Sequence, residues 1–214
     1  MSAVIQYLFF PGLLFTASAG LLTSWLDRKL TARVQMRKGP PLLQPFYDVA
    51  KLFVKDTCVP AGSPTWLFLS APLLGVAGVA LASTILCQAM WAGDMNVTGD
   101  LIVVMYLLAF PSLAMILGAF ASRNPLASLG GSREMKLAVA YELPFILTAC
   151  VPIMWTKSIR LDAILAAPSV DRTFSGLLAL GVAAIAMQAR LTRVPFDIPE
   201  AECELGSGVL IEYS

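Results

Sequence analysis

The stretch Leu101–Phe120, LIVVMYLLAFPSLAMILGAF, decides the fold: twenty consecutive residues carry no charge. As an α-helix it is about 30 Å long, the thickness of a bilayer's hydrocarbon core. Four further stretches read the same way: Ser2–Leu26, Trp66–Trp91, Leu137–Thr156 and Phe174–Ala189, the last a little short of a full crossing. The expected fold class is all-α, a polytopic transmembrane helical bundle of about five spans. Residues 1–214 read as a single membrane domain, with no internal repeat and no low-complexity tract.

Composition points the same way. Hydrophobic residues make up 57% of the chain, charged residues only 14%, and the mean hydropathy is +0.75, outside the range of soluble globular domains. A net charge of +1 argues against a nucleic-acid partner. The first stretch lacks a basic residue ahead of its apolar run and is followed by Asp27-Arg28-Lys29, so it does not read as a cleaved signal peptide.

The chain has no histidine, which removes the residue best suited to neutral-pH proton relay and the usual zinc ligand. Cys58, Cys87, Cys150 and Cys203 are isolated, with no C-x-x-C pair, so neither an iron–sulfur nor a zinc site is expected on this chain. Proton chemistry falls to carboxylates, lysines and water.

Twelve of the fifteen lysines and arginines lie in the first, third and last connections between the stretches. The positive-inside rule then places the N-terminus outside and those three connections in the cytoplasm. Within the first, Gln44, Asp48, Lys51 and Lys55 form one helical stripe over Leu42–Lys55. This amphipathic helix lies either on the membrane surface or against a partner subunit.

Three groups of residues are candidates for chemistry. Glu142 is the one acid inside a predicted span, and such acids face a polar cavity or a partner. Pro144 cannot donate to the Ala140 carbonyl, which is expected to open the helix beside it. The alternative is a glutamate near a helix end that reaches the surface. The last connection concentrates Asp197, Glu200, Glu202 and Glu204 within eight positions. If Pro199 starts a helix, Glu200 and Glu204 stack at i, i+4, where like charges repel and one holds its proton more tightly. A solvated acidic loop is the alternative. The third group, Arg123, Arg133, Glu134 and Lys136, reads as a mixed-charge loop broken at Gly130-Gly131, suited to anionic lipid or to a docked subunit.

Four motifs in order carry a family resemblance: Arg37-Lys38-Gly39-Pro40-Pro41-Leu42-Leu43-Gln44-Pro45-Phe46-Tyr47-Asp48, Gly131-Ser132-Arg133-Glu134, Tyr141-Glu142-Leu143-Pro144, and Pro195-Phe196-Asp197-Ile198-Pro199-Glu200-Ala201-Glu202 with Glu212-Tyr213-Ser214. Together they resemble the quinone-site membrane subunit of respiratory complex I, its H-type or first subunit. They also resemble its counterparts in energy-converting membrane-bound nickel–iron hydrogenases and formate hydrogenlyases. The direct run from Gly39-Pro40-Pro41 into Leu42-Leu43-Gln44 and the Gly-Ser-Arg-Glu form at 131–134 favour the hydrogenase branch.

The resemblance implies a multi-pass platform in a prokaryotic cytoplasmic membrane, linking electron transfer in peripheral subunits to proton or sodium translocation. Iron–sulfur clusters and a nickel–iron centre are then expected on hydrogenase-like large and small subunits, with antiporter-like subunits alongside. In the alternative, an NADH:quinone oxidoreductase, quinone is the acceptor. The acids Glu142, Asp197, Glu200, Glu202, Glu204 and Glu212 match the family's ion path. Arg37, Lys38, Arg123, Arg133, Glu134, Arg190 and Arg193 are expected to dock partners. Family members continue through further helices after Glu-Tyr-Ser, so the chain is expected to be an incomplete form of the family domain. An independent secondary transporter and a passive anchor are the competing classes; the missing repeat weighs against the first.

Overall fold

A computed structural model describes residues 3–91, 100–167 and 173–213, which are helical without extended sheet. Contacts within the chain divide it into two compact units, Met1–Cys58 and Val59–Ser214.

In the first unit the stretch expected as one span is interrupted. A short helix α1, Ala3–Leu8, ends before Pro11, and α2, Leu13–Val34, begins after Gly12. Pro11, which has no N–H to donate, falls in the gap between the two helices, whereas Pro72, Pro111, Pro144 and Pro152 lie inside helices. The second half of α2 carries Asp27, Arg28, Lys29 and Arg33. Trp25 Nε1 donates to the Pro40 carbonyl at 3.1 Å, tying the following turn to the helix. The amphipathic helix forms as α3, Gln44–Phe53, with Pro45 in its first turn, where a missing N–H costs nothing. Asp48 accepts from Gln44 at 3.1 Å and from Arg28 at 3.0 Å.

The second unit holds α4, Thr65–Trp91; α5, Leu101–Ala121; α6, Pro125–Thr156; α7, Leu161–Ala166; and α8, Phe174–Arg190. Among the described residues, three helices (α4, α5 and α6) are long and apolar enough to cross a membrane, and α8 is a shorter apolar one. The expected set of about five spans is thus three plus one shorter helix here. Exposed faces remain apolar, with Leu73 70%, Val139 71% and Leu177 65% exposed. Helices that are apolar all round suit hydrocarbon and not water.

Small residues set the packing. A Cβ on Gly78 of α4 would lie 2.5 Å from Phe110 Cβ of α5, so only glycine permits that approach. Between α5 and α6, Ala119 and Ala127 are fully buried and Gly131 sits against Ala119. The Gly130-Gly131 pair therefore does not break a loop, as expected from sequence. It lies within the first two turns of a 32-residue helix and lets neighbours approach. Asn124 caps that helix, its Oδ1 accepting from Leu126 N–H at 2.9 Å.

Candidate functional site: a buried polar cluster on α6

The inward stripe of α6 runs through Ala127, Gly130, Gly131, Glu134 and Tyr141. Intervals of three, four and seven residues return to one helical face. Glu134 therefore shares a face with the small residues that draw α5 close. It is 0% exposed. Expected as a docking residue, it is instead covered by its own chain, and the spacing to Gly130 and Gly131 is the sequence signal that identifies this.

Three side chains form a line of oxygens. Ser112 Oγ on α5 and Tyr141 Oη are 2.5 Å apart, and either can donate. Tyr141 O–H in turn reaches Glu134 Oε1 at 3.5 Å, a long contact. Glu134 Oε2 has no hydrogen-bond partner among the described residues.

Arg190, the last residue of α8, lies on the other side of Tyr141. Its Nη2 donates to Glu142 Oε2 at 2.6 Å, with the two side chains 9% and 28% exposed. The guanidinium carbon sits 4.5 Å from the Phe145 ring centroid and 5.5 Å from that of Tyr141, so the cation rests on two aromatic faces. Arg190 Nε and Nη1 are buried without partners among the described residues. Arg190, also expected to dock a subunit, is thus an internal counter-ion. Glu142 faces this partner, and α6 continues through Pro144 as helix. An apolar cavity of ≈ 220 Å³ lined by Tyr141, Pro144, Ala186, Ala189 and Phe196 adjoins the cluster.

The acid-rich segment folds back over the N-terminal half of α6. Pro199, Leu205 and Val209 are buried, and a Cβ on Gly130 would fall 2.7 Å from Val209 N. Pro199 starts only a 3-10 turn, Ile198–Glu200, which ends at Ala201 (φ −49°, ψ 100°) before α9, Glu202–Leu205. Glu200 and Glu204 thus do not stack on one continuous helix. Glu204 pairs with Arg133 at 2.8 Å, and Glu212 Oε1 accepts from Asn124 at 2.7 Å. Asp197 is exposed and Glu200 half-buried, while the side chain of Glu202 lies outside the described residues. Tyr213 stacks on Phe68 with ring centroids 4.2 Å apart and donates to the Phe68 carbonyl at 2.8 Å. Burial pushes its phenol up, so it remains a neutral donor.

Arg37, Lys38, Arg123 and Arg193 are exposed. Among the described residues, no group of three or more Cys, Asp or Glu side chains is arranged to hold a metal ion. Glu142, Glu204 and Glu212, named together from sequence as one path, each have their own separate partner.

A family model described as NADH dehydrogenase matches residues 5–214. The chain belongs to the NADH dehydrogenase family of H-type (first) membrane subunits. It is 34% identical over 206 residues to the NADH-quinone oxidoreductase H subunit 2 of Syntrophobacter fumaroxidans, covering 89% of this chain and 62% of that one. The figures for the corresponding H subunit of Syntrophotalea carbinolica are 35% over 204 residues, 88% and 62%. This H-type chain thus spans about three fifths of the length of those relatives, 62%. Among solved structures it resembles a chain of the membrane-bound sulfane sulfur reductase, an archaeal respiratory membrane complex. There the TM-score is 0.82 at 25% identity, over 99% of this chain and 69% of that one. Membrane-spanning helices and family together make this a membrane-embedded protein.

Proposed function

We propose that this chain is the integral-membrane platform and coupling subunit of a multi-subunit respiratory complex. In this reading it links electron transfer in peripheral metal-bearing subunits to proton or sodium movement through antiporter-like membrane subunits. The observation that supports it is the pair of acids on α6, Glu134 and Glu142, set around Tyr141, with the carboxylate-rich segment folded onto the same helix. Acids at membrane depth beside polar partners are the usual elements of ion paths. Asp197, Glu200, Glu202, Glu204 and Glu212 form the cytoplasmic approach and Glu142 the step toward the membrane axis. The basic-residue distribution puts that approach inside and the N-terminus outside. Exposed Arg37, Lys38, Arg123 and Arg193 meet the peripheral arm.

The direct Gly39-Pro40-Pro41-Leu42 junction and the Gly-Ser-Arg-Glu motif favour a hydrogenase-type arm, with large and small subunits bearing nickel–iron and iron–sulfur centres. A quinone-reducing arm is the second reading, favoured by the relatives' description as NADH-quinone oxidoreductase subunits. Purification of the native complex separates them. Nickel with hydrogen-dependent dye reduction supports the first, and NADH-dependent quinone reduction the second. Ion transport by the isolated chain in proteoliposomes would overturn both. Within the assembled complex, Glu142→Gln leaves dye-linked electron transfer in the peripheral arm and impairs coupled ion translocation, whereas Glu142→Asp retains part of it. Full coupled translocation in Glu142→Gln refutes a role for this carboxylate in coupling.

A further inference from the structure

Between α5, α6 and α8 the helices leave a groove of ≈ 380 Å³. It is lined by α5 over residues 101–108, by α6 over 145–152 and by α8 over 176–183, with Leu86 of α4 at one side. Small residues, Ala149 and Ala179 among them, leave the space open. The one side-chain hydroxyl in the lining, Thr148, already donates to the Phe145 carbonyl at 2.7 Å, so the walls offer carbon and no free polar group. An unfilled space of this kind forfeits dispersion contacts for every atom around it. In a helix bundle at membrane depth the matching filler is hydrocarbon.

Depth identifies the kind of occupant. The lining stretch of each helix rises about 12 Å. A hydrocarbon core is about 30 Å thick, so one leaflet accounts for about 15 Å of it. The groove therefore belongs to a single leaflet and stops at Phe145, whose ring centroid lies 4.5 Å from the Arg190 guanidinium carbon. A packed helix of a partner needs a seat across both leaflets. One acyl chain needs a seat in one.

The other end of the groove meets a basic turn. Leu101 N–H donates to the Ile159 carbonyl at 3.1 Å, which holds the turn after α6 against the mouth. Exposed Trp155, one turn beyond the lining, suits the level of the lipid headgroups. Arg160 spends its charge on Asp162 at 2.7 Å, whereas exposed Lys157 has no ion pair among the described residues. A free cation at headgroup level above a carbon-lined slot one leaflet deep matches the two ends of one molecule.

We propose that this groove is a binding site for an anionic glycerophospholipid, with one acyl chain seated between α5, α6 and α8 and the phosphate facing Lys157. The site goes beyond the coupling reading and does not depend on it.

The test is cryo-electron microscopy of the purified protein with its native partner subunits in nanodiscs of equal parts phosphatidylglycerol and phosphatidylcholine. The acyl chains are brominated on one lipid and then on the other. Bromine density is expected in the groove, about fivefold stronger when phosphatidylglycerol carries the label. Ala179→Phe, which fills the slot, should abolish it, and Lys157→Gln should leave an acyl chain but equalise the two lipids. Absence of bromine density with either label, or a protein helix in the groove, overturns the site. Equal labelling in the wild type overturns the anionic headgroup, and a preference that survives Lys157→Gln overturns the role of Lys157. If Ala179→Phe does not assemble, the two wild-type maps decide.

Discussion

Breaking the Glu142–Arg190 pair from each side gives a prediction whose sign follows from burial. Removing one partner of a fully buried ion pair costs about 3–5 kcal/mol, because the other charge is left without compensation. Glu142 retains 28% exposure while Arg190 retains 9%, so water reaches the acid more than the base. Glu142→Ala leaves the more deeply buried charge stranded, with Nε and Nη1 already unpartnered among the described residues. We place its cost at about 2–3 kcal/mol, below the fully buried figure. Glu142→Gln keeps an acceptor oxygen for Nη2 and costs about 1–2 kcal/mol. In Glu142→Ala combined with Arg190→Met no charge remains, and a methionine sulfur packs against Phe145 and Tyr141 in place of the cation. The double variant is therefore expected within about 1 kcal/mol of wild type, more stable than Glu142→Ala alone. The assay is thermal dissociation of the purified complex in nanodiscs at one scan rate, following retention of this subunit. A double variant as labile as Glu142→Ala, or additive in its two losses, would show that the stranded charge is not the source of the cost.

Other expectations are of the same kind. Gly130→Ala forces a Cβ to 2.7 Å from Val209 N and 3.0 Å from the Pro199 carbonyl, so about 1–3 kcal/mol of overpacking should appear as faster proteolysis of the segment 195–213. Gly181→Ala, with open space around it, serves as the control and should gain up to about 1 kcal/mol of helix propensity. Glu204→Gln removes a pair to Arg133 whose acid is 65% exposed, worth at most about 1 kcal/mol. Its thermal midpoint should stay near wild type, and a large fall would show a structural role. Lys51→Glu with Lys55→Glu on α3 should lower the yield of intact complex at near-normal turnover per assembled complex. Normal yield with lost turnover would count against a role in assembly.

Much is legible in the sequence because hydropathy is a local sum. Leu101–Phe120 matches α5 to within a residue and Trp66–Trp91 matches α4, since an uncharged run of that length satisfies its backbone groups only as a helix. The interruption around Pro11 falls inside an uncharged run, so hydropathy passes over it. The helical start of α6 escapes the sequence for the opposite reason. Gly130, Gly131 and the charges around them look like a loop until α5 and the segment 195–213 are packed against them. Glu142 is recognisable as an unusual acid from its position alone, but not its partner, which lies 48 residues away on α8.

What the sequence alone determined is therefore the class: apolar helices of bilayer length, the motifs of a respiratory membrane subunit, and the residues rich enough in charge to matter. Which carboxyl is paired and which is sealed in was decided only by tertiary structure. Charge compensation depends on how neighbouring helices are rotated and how closely they approach. Here Gly130 meets the segment around Pro199 and Val209, Gly131 meets Ala119 of α5, and Glu142 meets Arg190 of α8.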